Sequence, residues 1–341
     1  MFILGIETSC DETSAAVLNE NSLVLSNIVL SQDDIHAPFG GVVPELASRQ
    51  HITAIEYVLG ESLKKAGIKL PQIDVFSVTQ GPGLIGSLLI GVSFAKGLAY
   101  YFQKPLIPVD HLESHIHAAF LENKVIPFPA VALLVSGGHT ALYLLKEKLS
   151  FELLVKTRDD AAGEALDKIA KYLGLGYPGG PIIDRMAAIG NPKKYLFSLP
   201  RMTDKTLGYS FSGLKTAALK TIKDNTITLE HLFRDDFLAS FQKAVVKALL
   251  APLENIIQIH APKSLILCGG VARNSVLRVD FQDLADKKNL KCFIPSPQFC
   301  TDNAAMVAGL ALEKYTNGGE YPLSLDLNAY PSNPRKAGKI R

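Results

Sequence analysis

Phe2-Ile3-Leu4-Gly5-Ile6-Glu7-Thr8-Ser9-Cys10-Asp11-Glu12-Thr13-Ser14-Ala15-Ala16-Val17-Leu18 sets two apolar runs around a polar turn. Phe2 to Ile6 reads as a buried strand and Ala15 to Leu18 as its return, so the chain opens with a hairpin whose tip is crowded with carboxylates and hydroxyls. The pattern recurs further on. Val131 to Val135 is apolar, Ser136-Gly137-Gly138-His139-Thr140 is the turn, and Ala141 to Leu145 is the return run. Ordinary hairpins do not need tips this polar, and two such units predict a duplicated architecture.

Two further strands run into glycine-rich loops that open helices. Val75 to Thr79 leads into Gly81-Pro82-Gly83-Leu84-Ile85-Gly86, and Ser264 to Cys268 leads into Gly269-Gly270-Val271-Ala272-Arg273-Asn274, with a helix expected from there through Val276. Strands alternating with helices indicate an α/β fold. Between them, Phe233, Phe237, Phe241 and Val245 recur at four-residue spacing. They predict a core helix over 229–250, punctuated by Pro252.

With 341 residues, 48% of them apolar, the chain has enough for a sizeable core and for two domains. The N-terminus lacks the basic region of a secretory signal. Leu84 to Tyr101, the longest apolar stretch, contains three glycines and Lys96 and falls short of a clean membrane span. Four cysteines without CxxC spacing read as reduced thiols. These features predict a soluble, cytoplasmic protein. A net charge of +2 leaves no overall polyanion footprint, so nucleic-acid contacts would have to come from local patches. The candidates are Lys193, Lys194, Arg201, Lys205 and Lys215, and the tail Asn333 to Arg341; both also read as solubilising surface.

Metal chemistry is suggested by Asp110-His111-Leu112-Glu113-Ser114-His115-Ile116-His117, which follows the apolar run Leu106 to Val109. On a helix, His111 and His115 share one face, so both imidazoles can reach a single ion, while His117 lies about 200° further round than His115. A third ligand is required. Asp302, just before the apolar run Ala304 to Tyr315, is the candidate, and an N-cap is its alternative role. Glu113 is misplaced for the base of an HExxH metalloprotease, because it falls about 200° from His111. The GPGLIG loop with Asp110 imitates a dinucleotide site, although Pro82 removes a backbone donor. The two glycines of Ser136–Thr140 suit a phosphate better, and the Gly269-Gly270 loop offers a second close approach. Cys10 has no neighbour in sequence that would lower its thiol pKa, and it reads as a packing residue.

These segments together resemble the TsaD family of bacterial tRNA N6-adenosine threonylcarbamoyltransferases, once described as sialoglycoproteases. The resemblance rests on GIETSCDET at 5–13, GGVVPELASRQH at 40–51, QGPGLIGSLLIG at 80–91, HLESH at 111–115, LVSGGHT at 134–140, DDAAGEALDK at 159–168, GYPGGPIIDR at 176–185, FSGLKTA at 211–217, GGVARN at 269–274 and CTDNAAM at 300–306. It implies a two-lobed actin/hexokinase/Hsp70-like (ASKHA) fold with duplicated mixed-sheet domains and a central cleft. Residues 1–129 would form the first lobe, joined by a C-terminal helix at about 302–330. Residues 130–301 would form the second lobe, and 331–341 a basic tail. The implied reaction transfers a threonylcarbamoyl group from threonylcarbamoyl-AMP to N6 of adenosine 37 in tRNAs reading codons that begin with A, forming t6A and releasing AMP.

The implied metal ligands are His111, His115 and Asp302, holding one divalent ion per subunit, Fe2+ ahead of Zn2+. The implied donor site is Leu134, Val135, Ser136, Gly137, Gly138 and His139, with Asp167, Gly180, Asp184 and Asn274. Within that reaction Asp11, with Glu12 as its understudy, is the expected general base; a turn-stabilising role is the alternative for both. The implied partners are tRNA, a smaller paralogous ASKHA protein resembling TsaB, and a P-loop ATPase resembling TsaE, with no membrane. A nucleotide-binding regulatory module and a sugar kinase of the same superfamily are the competing readings.

Overall fold

The computed structural model describes residues 1–199, 207–319, 321 and 325–331. Arg201, Lys205 and the tail Asn333 to Arg341, named above as basic patches, lie outside the described residues. In chain order the elements are β1 (Phe2–Glu7), β2 (Glu12–Asn19), β3 (Val24–Ser31), α1 (Asp33–His36), α2 (Pro44–Ala66), β4 (Val75–Gly81), α3 (Ile85–Phe102), β5 (Leu106–Asp110), α4 (His111–Glu122), β6 (Ala130–Val135), β7 (Thr140–Leu145), β8 (Glu152–Lys156), α5 (Ala162–Tyr172), α6 (Gly179–Ala187), α7 (Ser212–Asp224), α8 (Arg234–His260), β9 (Ser264–Cys268), α9 (Ser275–Lys287), β10 (Lys291–Phe293), α10 (Pro297–Cys300) and α11 (Ala304–Thr316).

One compact unit takes Met1–Val125 and the described chain from Pro295 onward; the other takes Ile126–Ile294. Each holds a five-stranded mixed sheet, ordered β3-β2-β1-β4-β5 in the first and β8-β7-β6-β9-β10 in the second. In both, the hairpin and its third strand pair antiparallel, and the two strands on the other side of the first strand run parallel to it. The same strand sequence, pairing and polarity occur twice. The duplication expected from the two polar hairpins is therefore a property of whole sheets.

In the first unit, alternate residues of β1 serve opposite faces, as pleating requires. Leu4 and Ile6 join Val17, Phe76 and Val78 in a core closed by Ile55 and Leu59 of α2 and Val92, Ala95 and Ala99 of α3. On the other face, a Cβ at Gly5 would lie 2.4 Å from the Ala304 carbonyl oxygen, so α11 lies directly on the strand there. Small residues make this possible, with Ala304, Ala305, Ala308, Gly309 and Ala311 on one helix. In the second unit β6 is buried along its whole length. The aromatic residues Phe237 and Phe241 are buried on α8 as the four-residue spacing predicted.

Four expectations are corrected. The return strand begins at Glu12 rather than Ala15, because Glu12 and Thr13 pair with Ser31 and Leu30 of β3. The core helix expected over 229–250 is Arg234–His260 and passes through Pro252; the buried residues Leu249, Leu253, Ile256 and Ile257 on both sides hold it in register despite the missing donor. The C-terminal helix expected at about 302–330 is Ala304–Thr316, with Asn317 as its C-cap and Gly318 at φ 82°. Finally, α3 is long and apolar enough to cross a membrane by length and composition, contrary to the reading from its glycines and Lys96. In this fold it packs on β4 and α2 in the core of the first unit.

The glycines of α2 and of the GPGLIG loop make opposite predictions. Gly60 is helical with nothing near an added Cβ, whereas a Cβ at Gly83 would sit 2.4 Å from the Ser9 carbonyl oxygen. Gly60→Ala is expected to stabilise the protein by about 0.5–1 kcal/mol and Gly83→Ala to destabilise it by about 1–3 kcal/mol. Urea unfolding measures both.

Candidate active site

The first unit gathers the chemistry at the ends of β1, β4 and β5. Helix α4 starts directly from β5, and the Asp110 carboxylate caps it: Oδ1 accepts from the backbone N–H groups of Leu112 and Glu113 at 2.9 and 3.1 Å. His111 is thus the first helical residue, with His115 one turn on, and their ring centroids are 4.6 Å apart. Asp302 reaches them from just before α11. His115 Nε2 is 3.0 Å from Asp302 Oδ1 and His111 Nε2 is 3.7 Å from the same oxygen. The N-cap role belongs to its neighbour instead: Asn303 Oδ1 accepts from the Met306 N–H. The Asp302 carboxylate therefore faces the two imidazoles, and one donor atom from each of the three residues lies within 4.8 Å of the others.

Behind His111 stands Glu7, to which the sequence reading gave no role. Glu7 ends β1 and is fully buried. Its carboxylate accepts from the Ser9 N–H at 2.5 Å and the Thr79 hydroxyl at 2.6 Å, and its Oε2 lies 3.2 Å from His111 Nδ1. The Ser9 hydroxyl is 3.1 Å from the same nitrogen. A carboxylate behind the far nitrogen of a histidine fixes the ring and leaves Nε2 for an ion, the usual outer-shell arrangement of histidine metal ligands. Burial alone would raise the Glu7 pKa, but the charge and hydrogen bond of His111, with Thr79, outweigh it and hold Glu7 below the ordinary carboxylate range. Burial works against a charged His111, yet Asp302 and Glu7 push it up to about 9.

More negative charge surrounds this pair than it neutralises. Glu12 is pushed well above the ordinary carboxylate range by burial and then by the charges of Asp302 and Asp11. The Cys10 thiol is likewise pushed well up by burial, Asp11, Asp302 and Glu12, which disfavours its thiolate. Two imidazoles converging on one carboxylate oxygen, amid excess carboxylate, form a donor set suited to a divalent cation such as zinc or ferrous iron.

Asp11 and Glu12 sit where the turn meets β2, and a second residue without a sequence-assigned role, a histidine, braces that junction. His51, fully buried on α2, places Nε2 2.9 Å from the Cys10 carbonyl oxygen and Nδ1 2.7 Å from the Thr13 hydroxyl. The two contacts bracket Asp11 and Glu12. Burial lowers the His51 pKa. As a neutral ring it donates from Nε2 to the carbonyl and accepts from the threonine at Nδ1.

The GPGLIG loop does not hold a nucleotide in the manner of a dinucleotide fold. A Cβ at Gly81 would lie 2.2 Å from the Tyr330 carbonyl oxygen, one at Gly86 2.4 Å from the Ser48 hydroxyl, and one at Gly91 2.3 Å from the Thr8 hydroxyl. With Gly83 against Ser9, these glycines serve protein packing and bring α3 onto the hairpin tip. Asp110 caps α4 and offers no ribose pocket. Glu113 has its carboxylate 3.9 Å from Lys314 Nζ and is not among the three clustered residues. His117 stacks on Phe120, with centroids 5.4 Å apart, and is not among the three clustered residues.

The expected donor residues lie in the second unit. Leu134 and Val135 end β6, and Ser136–His139 is a tight turn in which the Ser136 N–H donates to the His139 carbonyl at 2.8 Å. Added Cβ atoms at Gly137 and Gly138 would meet nothing within 4 Å, in contrast with the packed glycines of the first unit. The Gly269 loop is brought against β6: its φ is 91°, and a Cβ there would be 2.4 Å from the Val135 carbonyl oxygen. Asp167 Oδ1 accepts from the N–H groups of Gly179 and Gly180 at 2.8 and 3.2 Å, tying α5 to the start of α6. Asp184 accepts from the Ser275 hydroxyl at 2.7 Å and from Gln242 at 2.6 Å, and Gln242 also reaches Asn274, the N-cap of α9, at 3.3 Å. Asp184 and Asn274 therefore share one network.

Of the basic stretch, Lys215 Nζ pairs with Asp160 at 2.5 Å, a carboxylate also held by Lys168. Lys194 Nζ sits 4.3 Å over the Phe233 ring.

Comparison with known proteins places this arrangement. A ROK family glucokinase from Streptomyces griseus, solved in complex with glucose and AMPPNP, superposes with a TM-score of 0.54 over 92% of this chain and 100% of its own, at 11% identity. At that identity the likeness concerns the fold, and the fold is of the actin/hexokinase/Hsp70-like class. The model of the TsaD family, tRNA N6-adenosine threonylcarbamoyltransferase, matches residues 23–309. The tRNA N6-adenosine threonylcarbamoyltransferase of Thermosipho africanus is 48% identical over 318 residues, 93% of this chain and 96% of that protein. Its namesake from Geotalea uraniireducens is 49% identical over 308 residues, 90% of each. The chain belongs to the TsaD family.

Because His111 holds a proton up to about pH 9 when no ion is bound, an ion entering at pH 7.5 must displace it. Uptake is expected to release about one proton, and apparent affinity to rise about tenfold per pH unit until about pH 9. Calorimetry in two buffers of different ionisation heat measures the release; His111→Ala should abolish both the release and the tight binding.

Proposed function

We propose that this chain transfers the threonylcarbamoyl group of threonylcarbamoyl-AMP to N6 of adenosine 37 in tRNAs reading codons that begin with A. The observation that carries the reading is the cluster of His111, His115 and Asp302 beside Asp11 and Glu12, in a TsaD-family chain.

The donor is held in the second unit by Leu134, Val135, Ser136, Gly137, Gly138 and His139, with Asp167, Gly180, Asp184 and Asn274. The open face of Gly137 and Gly138 supports this, since a phosphate can approach backbone donors that no side chain shields. In the reaction the N6 nitrogen forms a bond to the carbamoyl carbon, the carbon–oxygen bond to phosphate breaks, AMP leaves, and N6 gives up one proton. His111, His115 and Asp302 would hold one divalent ion, Fe2+ ahead of Zn2+, which would supply Lewis-acid polarisation.

Asp11 or Glu12 accepts the N6 proton. Burial and the charges of Asp302 and Asp11 raise the Glu12 carboxyl above the ordinary carboxylate range, which makes its ionised form a stronger proton acceptor. His51 keeps both carboxylates in place through Cys10 and Thr13. Glu7 keeps the His111 ring turned so that Nε2 faces Asp302. The protein works in the cytoplasm with tRNA, a smaller paralogous TsaB-like protein and a TsaE-like P-loop ATPase.

The test supplies unmodified tRNA and threonylcarbamoyl-AMP to the purified protein with its partners and assays the digested tRNA for t6A by mass spectrometry. Product is expected with the wild-type chain. Glu12→Gln and Asp11→Ala are each expected to bind the donor normally, and loss of the acting base should lower the transfer rate about 10²–10⁴-fold. No product with intact donor would return the chain to a nucleotide-binding role. Lost donor affinity in Asp11→Ala would make Asp11 a binding residue.

A further inference from the structure

Residues 325–331 of the first unit cross the GPGLIG loop and end beside the cap of the histidine helix. The Lys96 ammonium donates to the Leu325 carbonyl at 2.8 Å, Gln80 Nε2 to the Asn328 carbonyl at 2.8 Å, and the Tyr330 N–H to the Gln80 carbonyl at 3.1 Å. Leu327 and Ala329 pack on the core formed by the sheet, α2 and α3. At the end of this strap the Tyr330 hydroxyl donates to Asp110 Oδ2 at 2.8 Å.

That bond closes a circuit. Asp110 divides its carboxylate between two tasks, with Oδ1 capping Leu112 and Glu113 and Oδ2 held by the phenol. The capped helix begins with His111, whose Nδ1 lies 3.1 Å from the Ser9 hydroxyl. The Ser9 carbonyl accepts from the Leu84 N–H at 2.8 Å, and the neighbouring Gly83 N–H reaches the Pro331 carbonyl at 3.4 Å, next to Tyr330. Gly81 and Gly83 leave room for this path, since a Cβ at either would collide with Tyr330 or Ser9.

We propose that Tyr330 is a positioning residue for the His111–His115–Asp302 centre, acting through the plane of the Asp110 carboxylate. Two of the three ligands ride on the first turns of α4, and the third sits on a different element ahead of α11. The spacing of the donor atoms therefore depends on the direction in which α4 leaves β5, and that direction is set at its cap. The phenol bond at Oδ2 adds to the two N–H bonds at Oδ1 and holds the plane of the carboxylate more firmly. The strap thus ties the chain near its C-terminal end to the metal centre without contributing a ligand. The inference rests on reading the three residues as ligands of one ion.

The test compares Tyr330→Phe, Asp110→Asn and the double variant, all as full chains. Tyr330→Phe keeps the ring that packs on Gly81 and removes only the hydroxyl. Asp110→Asn keeps the capping oxygen. Zn2+ affinity is measured by competition with a chromogenic chelator, and amide hydrogen exchange is followed at Leu112 and Glu113. Tyr330→Phe is expected to weaken Zn2+ binding about 3- to 10-fold, at or below the range for outer-shell substitutions, and to speed exchange at both amides. The loss in the double variant should fall short of the sum of the two single losses, because both substitutions alter the same contact. Zn2+ affinity within twofold of wild type, unchanged exchange in Tyr330→Phe, or additive losses would overturn the proposal. If wild-type and His111→Ala chains bind Zn2+ equally, the ligand reading itself fails; exchange at Leu112 and Glu113 then decides alone whether Tyr330 holds the cap.

Discussion

A carboxylate with no exposure to water organises the first unit. Glu7 lies inside the sheet at the end of its central strand, where an isolated charge would be prohibitively costly. It is tolerated because the Ser9 N–H, the Thr79 hydroxyl and His111 all bond to it. Breaking such a buried pair costs about 3–5 kcal/mol. Each partner comes from a different piece of structure: the hairpin tip, β4 and the start of α4. Meeting the needs of one charge therefore brings together the three segments that form the candidate centre, and it orients the His111 ring as a ligand requires.

Two glycine-rich loops are put to opposite uses. In the GPGLIG segment they are occupied by protein, with Tyr330, Ser9 and Ser48 filling the space a side chain would take. In Ser136–His139 they face open space. Identical residue types thus carry contrary meanings, packing in one place and access in the other, and only neighbours distant in sequence separate the two. This is why a motif resembling a dinucleotide fingerprint proved to be a packing device.

Much of the architecture was legible because it is written in local periodicity. Two polar-tipped hairpins announce the duplication, and the spacing of His111 and His115 by itself puts both imidazoles on one face of a helix. Asp302 was legible only as a candidate, since an aspartate ahead of a helix serves as a cap just as well; the cap is instead Asn303, one residue later. Glu7, His51 and Tyr330 were illegible for a common reason. Their partners are far along the chain, and nothing near them in sequence marks a buried pairing. Pro252 misled in the opposite direction: a helix-breaking residue was overridden by the apolar contacts on either side of it.

The account turns on three side chains acting as the ligands of one ion, with Glu7 holding the first of them. The most direct measurement is an anomalous-difference map from crystals of the metal-loaded protein, collected on both sides of the absorption edge of the bound metal. The account predicts a single strong peak within bonding distance of His111 Nε2, His115 and the Asp302 carboxylate, with Glu7 still on His111 Nδ1. A peak elsewhere, or a metal-loaded protein whose ion touches none of these three residues, would contradict it.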